Sequence, residues 1–330
     1  MLQLRLPLAF LVAIALVGCN TPAPAATVAA SPTDDLTTPA PRPTPTEAAS
    51  PTPLPPLSGR IAYASIVESV QHFDVFTIKP DGTDEIKLVH GKHTLPRWSP
   101  DGSKIAMSSF WLGNFESVVN ADGTGFKEFK SPNPSLELEC TTWSADATRL
   151  ACEGWNPSKR GFEGVYTVSA TTGQDLKRLT TSIGGAHDVP GSYSPDGTQI
   201  AFVRTTYTVL HLGELWICNA DGSNARKVAD TLVDYRVAWS PDGTRIAADD
   251  NKDIVVFDLA NLGGQPLRIS IPNAFPTAPR WAPDGSRLVF LLTHKTGGSD
   301  IYTMDLDGLD LQRVTTNGVM DGAPDWGRAP

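Results

Sequence analysis

The sequence is poor in cysteine, in long apolar runs and in positive charge. Four cysteines among 330 residues are too few for a small scaffold stapled by disulfides. The apolar run from Leu6 to Val17 has twelve residues, short of the roughly 20 that a membrane-spanning helix takes. Lys and Arg number 27 against 36 Asp and Glu, a formal net charge of −9. That balance disfavours nucleic-acid binding, which needs a cationic surface to displace counterions. No segment sustains a 3.6-residue apolar period, so a helical architecture is excluded. No Gly-x-Ser-x-Gly string offers a nucleophile elbow.

What is abundant is proline and glycine, 28 of each, in different places. Twelve prolines fall in residues 1–57, which hold only one glycine, Gly18. Arg5 precedes the Leu6–Val17 run, which suits the core of a signal peptide. The run ends in Leu16-Val17-Gly18-Cys19, a string that resembles the bacterial lipobox. The resemblance implies that residues 1–18 are a lipoprotein signal peptide and that Cys19 becomes the lipidated first residue, held on a membrane by its acyl chains. Residues 19–57 then form the lipidated Cys and a Pro/Thr-rich linker, disordered and extended in polyproline II. The protein is expected outside the cytoplasm, in the periplasm or at the cell surface.

From residue 58 onward one string recurs: RWSPDGSKIAM from Arg97, TWSADATRLAC from Thr142, SYSPDGTQIAF from Ser192, AWSPDGTRIAA from Ala238 and RWAPDGSRLVF from Arg280. Ser-Pro-Asp-Gly is the chemistry of a type I turn: Pro presets φ, Asp bonds back to the backbone and Gly supplies a positive φ. An extended segment ending in an aromatic residue precedes it, and a strand-like alternation follows. Each unit adds a second strand that usually ends in Asp-Gly, and most add a third. Four strands per unit, repeated, make a propeller blade. Residues 58–63 match the second half of the string and Ala323–Trp326 the first half, so the two ends together supply a sixth blade and close the ring. The copy at Ser144-Ala145-Asp146-Ala147 lacks Pro and Gly, and its turn is expected to be looser.

The repeat resembles the WD-like repeat of TolB-type β-propellers. The resemblance implies an all-β, six-bladed propeller over residues 58–330, closed by pairing of the C-terminal strand with the first blade. For function it implies a non-catalytic binding or docking module for an envelope or extracellular protein or glycan, most simply as a monomer. The alternatives are a saccharide-directed lyase or hydrolase using loop histidines, and a structural scaffold. Fold alone does not choose among them.

The Ser-Pro-Asp-Gly and Asp-Gly turns are expected on one face, and the longer, chemically varied loops on the other. That loop face is the candidate binding surface, with Phe110, Trp111, Trp155 and His187, and with Tyr207, His211, Tyr235 and His294. No catalytic residue, cofactor or metal ligand set is assigned. Cys140 and Cys152 flank the irregular turn after Trp143. Pairing Ser144 with Thr148 would set them opposite each other, and a register one residue away would set them on different faces; bonded and free states both stay open. Cys218 reads as a buried free thiol.

Overall fold

The computed structural model describes residues 57–66, 73–109, 115–206, 212–294, 297–316 and 320–328. Two units divide the chain, Met1–Pro56 and Leu57–Pro330. Phe110, Trp111, Tyr207, His211, Cys19 and the linker lie outside the described residues.

In Leu57–Pro330 the described strands form six four-stranded antiparallel sheets, and no helix occurs among the described residues. The five blades built from consecutive segments start at the inner strands His93–Trp98, Glu137–Trp143, His187–Tyr193, Ala238–Trp239 and Ala274–Trp281. The remaining blade takes its inner strand, Asp325–Gly327, from the end of the chain and its other strands, Arg60–Ile66, Phe73–Ile78 and Ile86–Val89, from the start. Arg60, Ile61 and Ala62 pair with Gly327, Trp326 and Asp325 across that joint. The ring is thus closed as the two half-strings of the sequence imply.

No single core holds the ring together. Each of the six junctions between neighbouring blades has its own buried apolar cluster. One, for example, joins Ile61, Tyr63 and Trp326 to Val289 and Ile301, and another joins Ala151 and Val165 to Ile200 and Phe202. The anchor aromatics Trp98, Trp143, Trp239, Trp281 and Trp326 are all buried in these layers.

The turns use the chemistry their composition implies. Asp101 Oδ1 accepts from Ser103 N and from Ser99 Oγ at 3.0 and 2.6 Å, and the same bonds recur at Asp146, Asp196 and Asp242. Gly102 N donates to Ser99 O at 2.9 Å with Gly102 at φ 73°. The turn at Ser144 is not looser. Ala147 N donates to Ser144 O at 2.9 Å, and Ala147 itself adopts φ 56°. The flanking bonds of Asp146 hold an L-residue in a backbone region that glycine enters more easily. The two turn series share one face. Ala121, Ala170, Ala220 and Leu259 each donate a backbone N–H to the carbonyl of the Ser or Thr that follows the first turn of their blade, at 2.8–2.9 Å.

Four inner strands carry an irregularity that the repeat did not announce. Their pairing slips by one residue between Thr94 and Arg97, Cys140 and Thr142, Pro190 and Ser192, and Thr277 and Arg280. A β-bulge of this kind adds one residue and turns the strand more sharply. At two of them Leu95 and Ala278 take φ 51° and 54°, and these two pack with Ala323 across three neighbouring inner strands.

Closure depends on close packing at the joint. A Cβ added at Gly327 would lie 2.2 Å from Trp98 Cγ, a distance that neither ring nor backbone can absorb without moving. Gly327→Ala is therefore expected to destabilise the protein by about 1–3 kcal/mol through overpacking. A lowered urea midpoint would show this, and an unchanged midpoint would mean that the closing strand is not held by this contact.

Candidate functional site

Along each inner strand the side chain just before the anchor aromatic points away from the blade and into the channel, because neighbouring strand residues face opposite ways. In the six blades this position is Arg97, Thr142, Ser192, Ala238, Arg280 and Asp325. All six line one cavity of about 520 Å³ that opens at the turn face, rimmed by Pro100, Ala145, Pro195, Pro241 and Pro283. Its volume falls in the range of ligand sites, roughly 300–1,000 Å³.

Three guanidiniums lie in this channel. Arg97 and Arg280 are each 5% exposed. Arg97 Nη1 donates to the carbonyls of Pro96 at 2.8 Å and Pro324 at 3.4 Å. Arg280 Nη1 donates to Val237 O at 2.7 Å. Half-buried Arg236 donates to Tyr235 Oη at 2.9 Å. Desolvation, with Arg280 and Arg236 as like-charged neighbours, lowers the Arg97 pKa to about 9. Desolvation also lowers that of Arg280.

Further toward the loop face the channel turns acidic. Glu139 pairs in register with Glu153, and burial plus the Glu153 charge raise the Glu139 pKa to about 7, against the pull of Arg236 and Arg97. Glu116 is buried behind them. It accepts from Cys140 N at 3.1 Å and from Ser108 Oγ at 3.2 Å, and desolvation raises its pKa well above the ordinary carboxylate value. Asp249 is fully buried, accepts from Ala278 N at 2.9 Å, and is pushed up by burial and by Asp234.

Of the loop-face histidines described by the structure, His187 is tied to the neighbouring blade and His294 to its own. His187 Nδ1 lies 2.6 Å from Glu153 Oε1, and His294 Nε2 lies 2.6 Å from Asp300 Oδ2. Tyr235 is half-buried in the channel wall, its ring 4.8 Å from the Arg236 guanidinium carbon. Strand Arg226–Val233 ends two residues before it. Trp155, half-buried, ends the second strand of the blade that starts at Glu137, and His294 ends the corresponding strand of the blade that starts at Ala274. The structure thus brings His187 and Tyr235 to one stretch of channel and leaves Trp155 and His294 apart from each other. Among the described residues no group of three or more His, Cys, Asp or Glu side chains is placed to hold a metal ion.

Cys140 and Cys152 are bonded, with their sulfurs 1.98 Å apart. The turn pairs Ser144 with Arg149 rather than with Thr148, a register that by itself would set the cysteines on different faces. The bulge between Cys140 and Thr142 shifts the pairing back and sets Cys140 opposite Cys152. Cys218 is free and buried, and burial raises its thiol pKa to about 12.

The channel residues that the sequence did not single out are Arg97, Arg280 and Arg236 with Glu116, Glu139 and Glu153. A signal existed for two of them: Arg precedes the aromatic in the copies at Trp98 and Trp281, where the other copies have Thr, Ser, Ala or Asp.

The raised carboxyl of Glu139 ties stability to pH. Its folded pKa of about 7 lies above the ordinary 4.5, so the folded state binds more protons between those values. Its contribution is full below about 4.5 and is lost as pH rises to about 7. The turn carboxylates act at the other end. Asp242, lowered to about 2 first by its Ser240 bond, loses its contribution only as pH falls through the acid range. The urea midpoint should therefore be higher near pH 5 than near pH 8, by a smaller margin in Glu139→Gln. An equal margin in the variant would contradict the assignment.

Comparison with known proteins agrees with the geometry. The family model of the TolB beta propeller domain matches residues 198–329. The chain is 31% identical over 138 residues to the Tol-Pal system protein TolB of Anaeromyxobacter dehalogenans, covering 42% of this chain and 29% of that one. It is 23% identical over 191 residues to an uncharacterized protein of Agrobacterium fabrum, covering 57% and 61%. The chain thus spans less than two thirds of the length of these curated relatives. Among solved structures, TolB from Acinetobacter baumannii superposes with a TM-score of 0.64 at 19% identity, over 82% of this chain and 66% of that one. An oligogalacturonate lyase from Vibrio parahaemolyticus gives 0.51 at 15% identity, over 77% and 78%. At these identities the structural likeness establishes the fold alone. Residues 198–329 carry the TolB-type propeller repeat, and the ring that contains them is a six-bladed β-propeller.

Proposed function

We propose that the protein is a lipid-anchored, extracytoplasmic propeller that docks an envelope or extracellular protein and performs no chemistry of its own. The observation that carries this reading is the open cavity at the turn-face mouth of the channel, with an apolar proline rim and a polar floor. The match of residues 198–329 to the TolB propeller supports it, as does the likeness to a relative named for the Tol-Pal system. The Cys140–Cys152 disulfide suits an oxidising compartment outside the cytoplasm. The Leu16–Cys19 string supplies the anchor and residues 20–57 the spacer. A scaffold role fits the same surface less well, because it does not call for a cationic channel floor. The second reading, a saccharide-directed lyase or hydrolase, rests on the His187–Glu153 contact at 2.6 Å and on a likeness in fold to oligogalacturonate lyase.

The two mouths of the channel are competing docking surfaces, and substitution separates them. Pro241→Glu with Pro283→Glu at the turn-face rim is expected to abolish crosslinking of the protein to envelope partners while leaving its melting temperature unchanged. Loss only on Trp111→Ala with Trp155→Ala would move docking to the loop face. If no envelope protein crosslinks even to the unaltered chain, the docking reading is wrong.

The anchor has its own readout. Cys19→Ser should abolish incorporation of radiolabelled palmitate, and labelling that persists in the variant would overturn the lipid anchor.

A further inference from the structure

The floor of the turn-face cavity holds cations whose hydrogen-bonding capacity is only partly used. A guanidinium has five N–H donors. The Nε atoms of Arg97, Arg236 and Arg280 are buried and have no hydrogen-bond partner. Arg97 and Arg280, both more than nine-tenths buried, line the cavity, with Thr142 and Ser192 offering hydroxyls beside them.

The acids nearby are engaged elsewhere. Asp325 Oδ2 accepts from Trp98 N at 2.7 Å, and its Oδ1 stays 3.9 Å from Arg280 Nε. Asp234 Oδ1 accepts from the backbone N–H of Arg236 at 3.1 Å and lies 3.9 Å from the Arg236 guanidinium. Glu139, with its pKa up to about 7, is only partly ionised at neutral pH. Asp325 and Asp234 thus stand off from the Arg280 and Arg236 guanidiniums at 3.9 Å, inside a protein whose net charge is −9. An uncompensated buried charge is costly. A planar guanidinium fork matches a carboxylate in shape as well as in charge.

We propose that Arg97 and Arg280, backed by Arg236, form a carboxylate-binding site at the floor of the turn-face cavity, and that it takes the free C-terminal carboxylate of a partner chain entering end-on. The rim argues for a chain rather than a small ion. Pro100, Pro195, Pro241 and Pro283 present apolar ring faces around the entrance, which suit the aliphatic parts of a peptide and would give a bare anion nothing. The channel axis leads inward to the arginines, so a chain terminus reaches them more readily than an internal loop.

This inference rests on the docking reading, but its test is separate from the partner crosslinking described above. The full protein is titrated with N-acetyl-tetra-alanine carrying a free C-terminus and, in parallel, with the same peptide amidated, with tryptophan fluorescence as the readout. The free acid should bind at least about tenfold more tightly than the amide. Arg280→Gln should erase that preference. Arg280→Lys, which keeps the charge and loses the fork, should reduce it. An unchanged melting temperature certifies each variant, and the free-acid preference of the unaltered protein stands as evidence even if a variant fails to fold. Equal binding of the two peptides overturns the carboxylate site, as does no binding of either up to about 10 mM. Sodium acetate that displaces the peptide at equal concentration overturns the chain-end assignment. Crosslinking to an envelope partner together with indifference to the C-terminal charge would sink this inference and leave the docking reading intact.

Discussion

Three residue pairs join the end of the chain to its beginning, and the ring depends on them. Arg60–Gly327, Ile61–Trp326 and Ala62–Asp325 complete a blade whose inner strand comes from about 265 residues away in sequence. Closing so long a loop costs conformational entropy that grows only slowly with length, and a three-residue ladder does not offset it unaided. The apolar layers on either side of the joint supply the rest. Trp326 is buried against Ile61, Tyr63 and Val289 on one side, and Trp98 covers Gly327 on the other. Trp326 Nε1 also donates to Ser58 O at 2.9 Å, fixing the entering chain to the leaving one. Without this joint, one blade would lose its inner strand and leave the edge of Arg60–Ile66 unpaired.

The inner strands face a related problem, since each is a sheet edge lining the channel. Neighbouring blades satisfy part of their backbone. Trp143 Nε1 donates to Arg97 O, Trp281 Nε1 to Ala238 O, and Arg280 Nη1 to Val237 O, at 2.7–3.0 Å. In the other direction Ser192 Oγ and Asp249 Oδ2 accept from Trp239 N and Ala278 N. Two of these groups, Arg97 O and Ala278 N, lie at or beside a bulge, whereas Val237, Ala238 and Trp239 lie in or next to an inner strand without one. The edge position lets Pro96, Pro190 and Pro279 sit in the inner strands, where a missing N–H leaves no ladder bond unmade.

The periodic part of this design was legible in the sequence. The aromatic anchors, the Asp-centred turns, the blade count and the joint between the two ends all follow from residue types at repeated spacings. The bulges were not legible, because an extra residue in one strand leaves no mark when the turn that anchors the repeat is unchanged. That gap left the cysteine pair undecided: the turn register alone separates Cys140 from Cys152, and only the bulge reunites them. The looser turn expected at Ala147 failed for a different reason. Asp146 and its two hydroxyl partners carry the turn, so Pro and Gly ease it without being required. The channel cations were hidden in plain view. Arg97 and Arg280 stood inside the repeat string, but a position that varies between Arg, Thr, Ser, Ala and Asp reads as ordinary exposed variation until the ring turns it inward.

Burial couples the two ends of the channel. Arg97 and Arg280 lie one residue before the aromatic anchor, near the turn face. Arg236 lies three residues before it, Glu139 four and Asp234 five, progressively nearer the loop face. In bulk water charges at such separations would be largely screened, but the burial of Arg97 and Arg280 keeps their interaction strong. Burial and Glu153 push the Glu139 pKa up, while Arg236 and Arg97 pull it back down. Glu139 and Arg236 in turn bear on each other, and both bear on Tyr235. The charge states of the Glu139 carboxyl and of the guanidiniums are thus set jointly along the channel.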